Sequence, residues 1–237
     1  MTGDLRSPSL AGNDGVLDAA AVAARVDALA RELRGHEGEV VALLADNGPD
    51  WLLADRAVHL AGRVLLPLPT FFTDDQCRHA LDAAGVRLLL TDDAARAAVL
   101  GAGCVAPARP GALSLFCRSD APAVTLPPGT AKITFTSGTT GQPKGVCLST
   151  EQLSAVSRSV AGIARELGIR RHLCMLPLAV LLENVAGADA AWLAGAQCVV
   201  PPLAEVGLSG SSRFDPRAAL AALERWQPDS LILLPQM

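Results

Sequence analysis

Between residues 40 and 100 the chain alternates short aliphatic runs with segments of helical period, and that alternation restricts it to an α/β arrangement. Val40–Leu44, Val64–Leu66 and Val86–Leu90 are too short for helices, rich in aliphatic residues and bounded by turn residues. The stretches between them carry helix-start chemistry. Pro49 precedes Trp51, Leu52, Ala57 and Leu60 at helical spacing, and Thr73-Asp74-Asp75-Gln76 is a capping box with acids in its first turn. Strands joined through helices pair in parallel, so mostly parallel β-sheets flanked by helices are predicted.

The same rhythm extends to both sides. A helix is predicted over Leu17–Leu33, where Val22, Val26, Leu29, Ala30 and Leu33 share a face and Gly35 follows as a cap. Strands are predicted at Ala131–Phe135, Val146–Leu148, Leu173–Leu176, Gln197–Val200 and Leu231–Leu234. Helices fall from Ser149 to Leu167, around Leu182–Leu193, and over Pro216–Trp226. Residues 101–129 are dense in Gly and Pro and read as a connection with one short strand near Leu113–Phe116. That connection would subdivide the chain into 1–105 and 130–237. The first fifteen residues are polar, with Pro, Gly, Asn and Asp among them.

With 237 residues, 50% of them hydrophobic, the chain has ample core material. A net charge of −4 and scattered arginines argue against nucleic acid as a partner. The amino terminus lacks an apolar signal core, and no apolar run reaches the roughly 18 residues of a membrane span, which predicts a cytoplasmic protein without a transmembrane segment. Cys77, Cys104, Cys117, Cys147, Cys174 and Cys198 show no C-x-x-C spacing and are predicted to be buried free thiols. His36, His59, His79 and His172 have no ligand spacing either, and no metal site is assigned.

Chemistry concentrates in residues 133–146, where Ile133, Thr134 and Phe135 lead into a tract of hydroxyls, glycines and one lysine. Glycines let backbone N–H groups approach an anion, the hydroxyls of Thr136, Ser137, Thr139 and Thr140 donate, and Lys144 adds a full charge. The tract reads as a phosphate cradle. It fits neither the G-x-x-x-x-G-K-[ST] loop nor the G-x-G-x-x-G fingerprint. Of the twenty basic residues only Lys132 and Lys144 are lysine, and both lie in or beside this tract. A compact charge on a flexible stem suits a group that follows a phosphate.

The string T-S-G-T-T-G-Q-P-K-G at Thr136–Gly145 resembles the signature loop of the acyl-adenylate-forming (AMP-binding) superfamily, which includes acyl- and aryl-CoA synthetases, luciferases and peptide-synthetase adenylation domains. The order of segments from residue 17 onward resembles the amino-terminal part of these enzymes, and family members usually run to about twice this length. The resemblance implies that residues 1–237 are an incomplete amino-terminal portion of an AMP-dependent synthetase/ligase fold without the carboxy-terminal lid domain. It implies that Thr136, Ser137, Gly138, Thr139, Thr140, Gly141 and Lys144 bind the phosphates of ATP. Lys144 would neutralise phosphate charge but would not be the lid lysine.

By the same resemblance the reaction forms an acyl-adenylate with ATP and Mg²⁺, the metal's ligands lying mostly outside this chain. Coenzyme A or the phosphopantetheine of an acyl carrier protein then accepts the acyl group. After Pro177 and Leu178, where many relatives have an aromatic-histidine pair, this chain has Ala179 and Val180. Glu183 resembles long-chain acyl-CoA synthetases, and no Phe-Asp-x-Ser follows to hold an amino group, which favours a fatty or aromatic acid. Val180, Glu183 and Asn184 are the candidate substrate-pocket residues. The leucines of this stretch read as core, and Glu183 is either a solvated helix-end residue or a functional one.

The later Tyr-Gly-x-Thr-Glu and Thr-Gly-Asp elements of relatives are not found in these residues. The expectation is a fragment unable to complete adenylation alone, with an apolar end open to self-association. The alternative is a noncatalytic nucleotide-binding or protein-interaction module.

Overall fold

The run Val40–Leu44 is buried along its whole length and forms the fourth of seven strands in the larger of two main sheets. The computed structural model describes residues 9–107, 112–136, 144–210, 213–235 and 237. These fall into two compact units, one of Met1–Arg25, Asp46–Pro49 and Glu151–Met237, the other of Val26–Ala45 and Asp50–Thr150. The Gly/Pro-rich stretch 101–129 lies within the second of these units rather than between them.

The seven-stranded sheet runs, edge to edge, Ala102–Ala106, Ser114–Arg118, Leu88–Thr91, Val40–Leu44, Val64–Pro67, Thr130–Thr136 and Lys144–Ser149. Its centre is parallel and both rims are antiparallel. The central strands are aliphatic at nearly every position because both their faces are covered. Between them the chain crosses through the helices Pro49–Leu60 and Asp74–Ala83. The capping box is formed as expected: the Thr73 hydroxyl accepts from the Gln76 N–H, and the Gln76 side chain accepts from the Thr73 N–H. Aliphatic residues of these strands and helices, with Phe116 and Ile133, make one core.

Residues 101–129 hold two strands rather than the one expected, Ala102–Ala106 pairing antiparallel with Ser114–Arg118. The buried guanidinium of Arg118 stitches them to the sheet by donating to the Leu100 and Val86 carbonyls and to Asp82 Oδ1, the last at 2.7 Å. Such a tie depends on where an arginine folds to, and strand propensity does not reveal it.

In the other unit a five-stranded sheet runs Ser230–Leu231, Arg171–Leu173, Gln197–Val199, Ser9–Gly12 and Gly15–Leu17. The polar start, to which the sequence pattern assigns no element, therefore contributes the strand Ser9–Gly12 and the beginning of Gly15–Leu17. Leu10 and Ala11 supply the buried residues, and Gly15 closes the hairpin at a φ of +115°, where a side chain would be strained. The helix Pro216–Trp226 has the boundaries read from sequence, with Asp215 capping it through the Arg217 N–H. The helix expected at 182–193 is divided into a π-helical segment Leu182–Asp189 and an α-helical turn Ala190–Leu193. The last predicted strand shortens to Ser230–Leu231. Among the described residues no helix is long and apolar enough to cross a membrane.

Candidate active site

The strand Thr130–Thr136 leaves the parallel part of its sheet and returns antiparallel as Lys144–Ser149, with Thr136 opposite Lys144 as the last register pair. The hydroxyl- and glycine-rich tract is thus the connection of a hairpin whose base is fixed. Ser137, Gly138, Thr139, Thr140 and Gly141 lie outside the described residues, as does the side chain of Thr136. Lys144 is exposed at the hairpin base. Beside it, a Cβ on Gly145 would come 3.0 Å from Phe135 Cζ, so glycine there lets the Phe135 ring lie across the hairpin. That ring meets His79 edge-on at a centroid distance of 6.2 Å.

The two lysines read from sequence as a pair are placed differently. Lys132 is 1% exposed, and its ammonium lies 3.1 Å from Asp55 Oδ2 in the buried helix face of Pro49–Leu60. The other Asp55 oxygen is 3.1 Å from His59 Nε2. The expectation that Lys132 supplies a mobile charge is corrected by this burial. A lysine side chain locked in a desolvated ion pair cannot follow a phosphate. Its proximity to the loop in sequence reflects the strand that delivers the loop.

The acid-pocket candidates belong to the other unit. Val180 is partly exposed, whereas Glu183 and Asn184 are buried in the π-helical segment. A solvated helix-end role for Glu183 is excluded by its 0% exposure. Glu183 Oε1 lies 2.9 Å from His172 Nε2, and Oε2 accepts from the N–H groups of Met175 and Leu176 at 3.1 and 2.8 Å. On the far side of His172, Nδ1 is 3.0 Å from the Ser230 hydroxyl.

Asn47 is a second buried anchor in the same unit. Its Nδ2 donates to the Leu176 carbonyl at 2.8 Å and its Oδ1 accepts from the Leu178 N–H at 2.9 Å. An asparagine followed by Gly48-Pro49 carries an ordinary turn signature, so periodicity gives no hint of this role. The π-helical bulge is similarly silent in an apolar pattern, although such bulges often mark functional positions.

His172, Cys174 and Glu183 offer ligand atoms within 4.8 Å of one another. Their present chemistry disfavours a cation. The carboxylate is engaged by the His172 ring and two backbone N–H groups, and burial, with help from Glu183 and Cys198, pushes the Cys174 thiol well above its ordinary range. The cluster is a hydrogen-bonded brace. Of the cysteines, Cys77, Cys174 and Cys198 are buried, while Cys104 is exposed. Behind His172 a cavity of about 200 Å³ is lined by Val160, Ile163, Leu167 and Gly187, with His172 and Ser230 as its polar wall.

Residues 10–237 match the family model described as AMP-binding enzyme. The chain is 29% identical over 208 residues to a (methyl-dioxo-octahydro-indenyl)propanoyl:CoA ligase from Mycobacterium tuberculosis, covering 78% of this chain and 39% of that protein. It is 34% identical over 140 residues to malpinin synthetase from Mortierella alpina, covering 52% of this chain and 2% of that protein. Among solved structures, O-succinylbenzoate coenzyme A synthetase (MenE) from Bacillus subtilis in complex with AMP superposes with a TM-score of 0.67 at 22% identity, covering 95% of this chain and 57% of that one. MenE has also been solved with ATP and a magnesium ion. The chain therefore spans only part of the length of the relatives it matches.

Proposed function

We propose, from the premise that this chain belongs to the AMP-binding enzyme family, that it is part of an ATP-dependent ligase that activates a carboxylic acid as its acyl-adenylate and passes the acyl group to a thiol. The observation that carries this reading is the hairpin of Thr130–Thr136 and Lys144–Ser149, within a family match over residues 10–237, whose connection is built of hydroxyls and glycines and ends on an exposed lysine. In the reaction a carboxylate oxygen of the acid attacks the α-phosphorus of ATP and the bond to pyrophosphate breaks. The charge that grows on the departing phosphates is met by the Lys144 ammonium, by hydroxyls of Thr136, Ser137, Thr139 and Thr140, and by the backbone of Gly138 and Gly141. A thiol then attacks the acyl carbon and AMP leaves.

Magnesium accompanies the nucleotide. Its ligands are proposed to lie mostly outside residues 1–237. The acid is proposed to be fatty or aromatic, with Val180, Glu183 and Asn184 belonging to its pocket region. Coenzyme A is the favoured acceptor because the relative matched over 78% of this chain is named as a CoA ligase, with carrier-protein pantetheine as the second choice because peptide synthetases match over 52 to 65% of it. The enzyme is assigned to the cytoplasm, where ATP and these thiols are found.

The test is acid-dependent ATP–pyrophosphate exchange, run on the complete enzyme carrying this sequence and on residues 1–237 alone, with a panel of fatty, aryl and amino acids. Exchange is expected from the complete enzyme, to be lost in Lys144→Ala, and to be absent from residues 1–237. Exchange by the 237 residues would overturn the fragment reading. Its absence from the complete enzyme with every acid would overturn the ligase reading and favour a noncatalytic module.

A further inference from the structure

The strand Thr130–Thr136 changes partners along its length. Lys132 is its register pair in the parallel ladder, facing Leu65 of Val64–Pro67, and residues 132–136 pair antiparallel with 144–148. A bulge marks the changeover. Thr130 stands opposite Ser149 and Lys132 opposite Leu148, so Ala131 is an extra residue on its own strand. A bulge moved by one position, or a pairing slipped by one, would turn each following side chain to the other face and put a different residue opposite Lys144. Something in the sequence must therefore fix the register in which Thr136 and Lys144 close the hairpin.

Two contacts on opposite faces of the strand do so. On one face the Lys132 ammonium reaches Asp55 Oδ2 at 3.1 Å, while His59 Nε2 lies 3.1 Å from the other carboxylate oxygen. The other buried residues of the helix Pro49–Leu60 are Trp51, Leu52, Leu53, Ala54, Ala57 and Val58. An apolar side chain at 132 would pack anywhere along such a surface, whereas an ammonium taken out of water needs the carboxylate. On the opposite face Ile133 enters the core of the sheet and Phe135 packs against it. The Phe135 ring meets His79 of Asp74–Ala83 edge-on, and it can lie across the hairpin because the residue facing it is Gly145.

We propose that Lys132, Asp55, His79 and Phe135 are positioning residues that set the register of this hairpin, and thereby the place of the Lys144 ammonium against the phosphates of ATP. This rests on the ligase reading above. Each residue acts through the strand it holds. The buried ion pair serves by its selectivity rather than its strength, since an apolar pair of similar volume holds as firmly but in more than one register. The ring contact adds a second restraint at the residue before Thr136, where the strand enters the connection.

The experiment uses the complete enzyme carrying this sequence. It reads the KM for ATP in acid-dependent ATP–pyrophosphate exchange, and the hydrogen exchange of backbone amides at 132–136 and 144–149. Lys132→Met is expected to raise the KM for ATP roughly tenfold, with the KM for the acid within about twofold of wild type. It should also lower the protection of the hairpin amides roughly tenfold more than that of Val40–Leu44. Lys132→Met combined with Asp55→Ala regains stability, because no charge is left orphaned, but not register, so its KM for ATP and its excess hairpin exchange stay raised. His79 is only half-buried, so His79→Ala keeps the fold and decides the matter if the buried variants do not. It should raise the KM for ATP about threefold, and His79→Phe, which keeps an edge-on ring contact, should restore it.

A double variant whose KM for ATP returns to wild type along with its stability would overturn the inference, reducing the pair to a structural tie. An unchanged KM for ATP in His79→Ala would do the same. Failure of the ligase reading shows separately, as a wild-type enzyme without exchange activity toward any acid. The amide measurement then still stands by itself: equal losses of protection in the hairpin and in Val40–Leu44 overturn the register role.

Discussion

Lys132→Met removes one half of the ion pair that holds the loop-bearing strand to the helix Pro49–Leu60. The two side chains are 1% and 5% exposed and their charged atoms 3.1 Å apart, so water cannot replace the lost partner. Methionine keeps most of the aliphatic stem, which isolates the charge from the packing. Breaking a buried pair from one side costs about 3–5 kcal/mol, because the remaining charge is left uncompensated. His59 retains a hold on the other Asp55 oxygen, which places the expected loss near the lower end of that range. For a chain of this size that corresponds to a drop of roughly 6–12 °C in Tm.

Urea and thermal unfolding of residues 1–237, followed by circular dichroism, provide the measurement. Adding Asp55→Ala to Lys132→Met should recover part of the loss, since the second change removes the orphaned carboxylate. Lys144→Ala, at an exposed position, should stay within about 0.5 kcal/mol of wild type. A Lys132→Met loss below about 1 kcal/mol, the value of a solvated surface pair, would refute the reasoning. So would a double variant less stable than the sum of the single changes.

Thr73→Ala deletes the hydroxyl half of the capping box and should cost about 1 kcal/mol in urea unfolding; no measurable change would mean that the helix Asp74–Ala83 does not depend on its cap. Gly207→Ala should cost more than about 2 kcal/mol, because Gly207 has a φ of +85° and its Cβ would lie 2.2 Å from the carbonyl oxygen of Asp215, the cap of the final long helix. Burial raises the Cys174 thiol above its ordinary 9.0, with Glu183 and Cys198 acting in the same direction. The folded protein then keeps a proton that the unfolded chain releases, so this contribution to stability is intact below pH 9 and is lost as the pH rises beyond it. Cys174→Ala should flatten the fall in urea midpoint between about pH 8 and pH 10, although Cys77, raised chiefly by its own burial, leaves a residual slope.

Much of the second unit was legible because its rules are local. A strand buried on both faces must be aliphatic, as Val40–Leu44 is, and a capping box announces a helix start wherever it occurs, as at Thr73. The family was equally legible, since a loop of ten adjacent residues leaves little room for coincidence, and residues 10–237 match it. Local rules fail where a short apolar element hides in a polar stretch. Leu10 and Ala11 are only two residues among glycines and polar groups, yet they fill a strand in the interior of their sheet because the neighbouring strand Gln197–Val199 supplies the partner. Pairing of this kind joins residues nearly two hundred positions apart, beyond the reach of any window of propensity.

A different failure concerns buried polar side chains, and here chemistry accounts for what pattern cannot. Lys132, Glu183 and Asn47 each stand beside a recognisable feature: a phosphate loop, an apolar helix and an Asn-Gly-Pro turn. Read by position, each would be assigned to that neighbour and to solvent. Read by energetics, a charge or amide enters the interior only where partners meet its lone pairs and protons, so burial itself implies a network. For Lys132 the partner is Asp55, and the consequence is an anchored strand. For Glu183 and Asn47 it is one stretch of backbone approached from two sides, and the consequence is a turn that holds Val180 in place. Substitution of these three residues therefore tests two separate anchors: Lys132→Met should loosen the loop-bearing strand, whereas Glu183→Gln and Asn47→Ala should loosen the Met175–Leu178 segment, each read as a loss of stability.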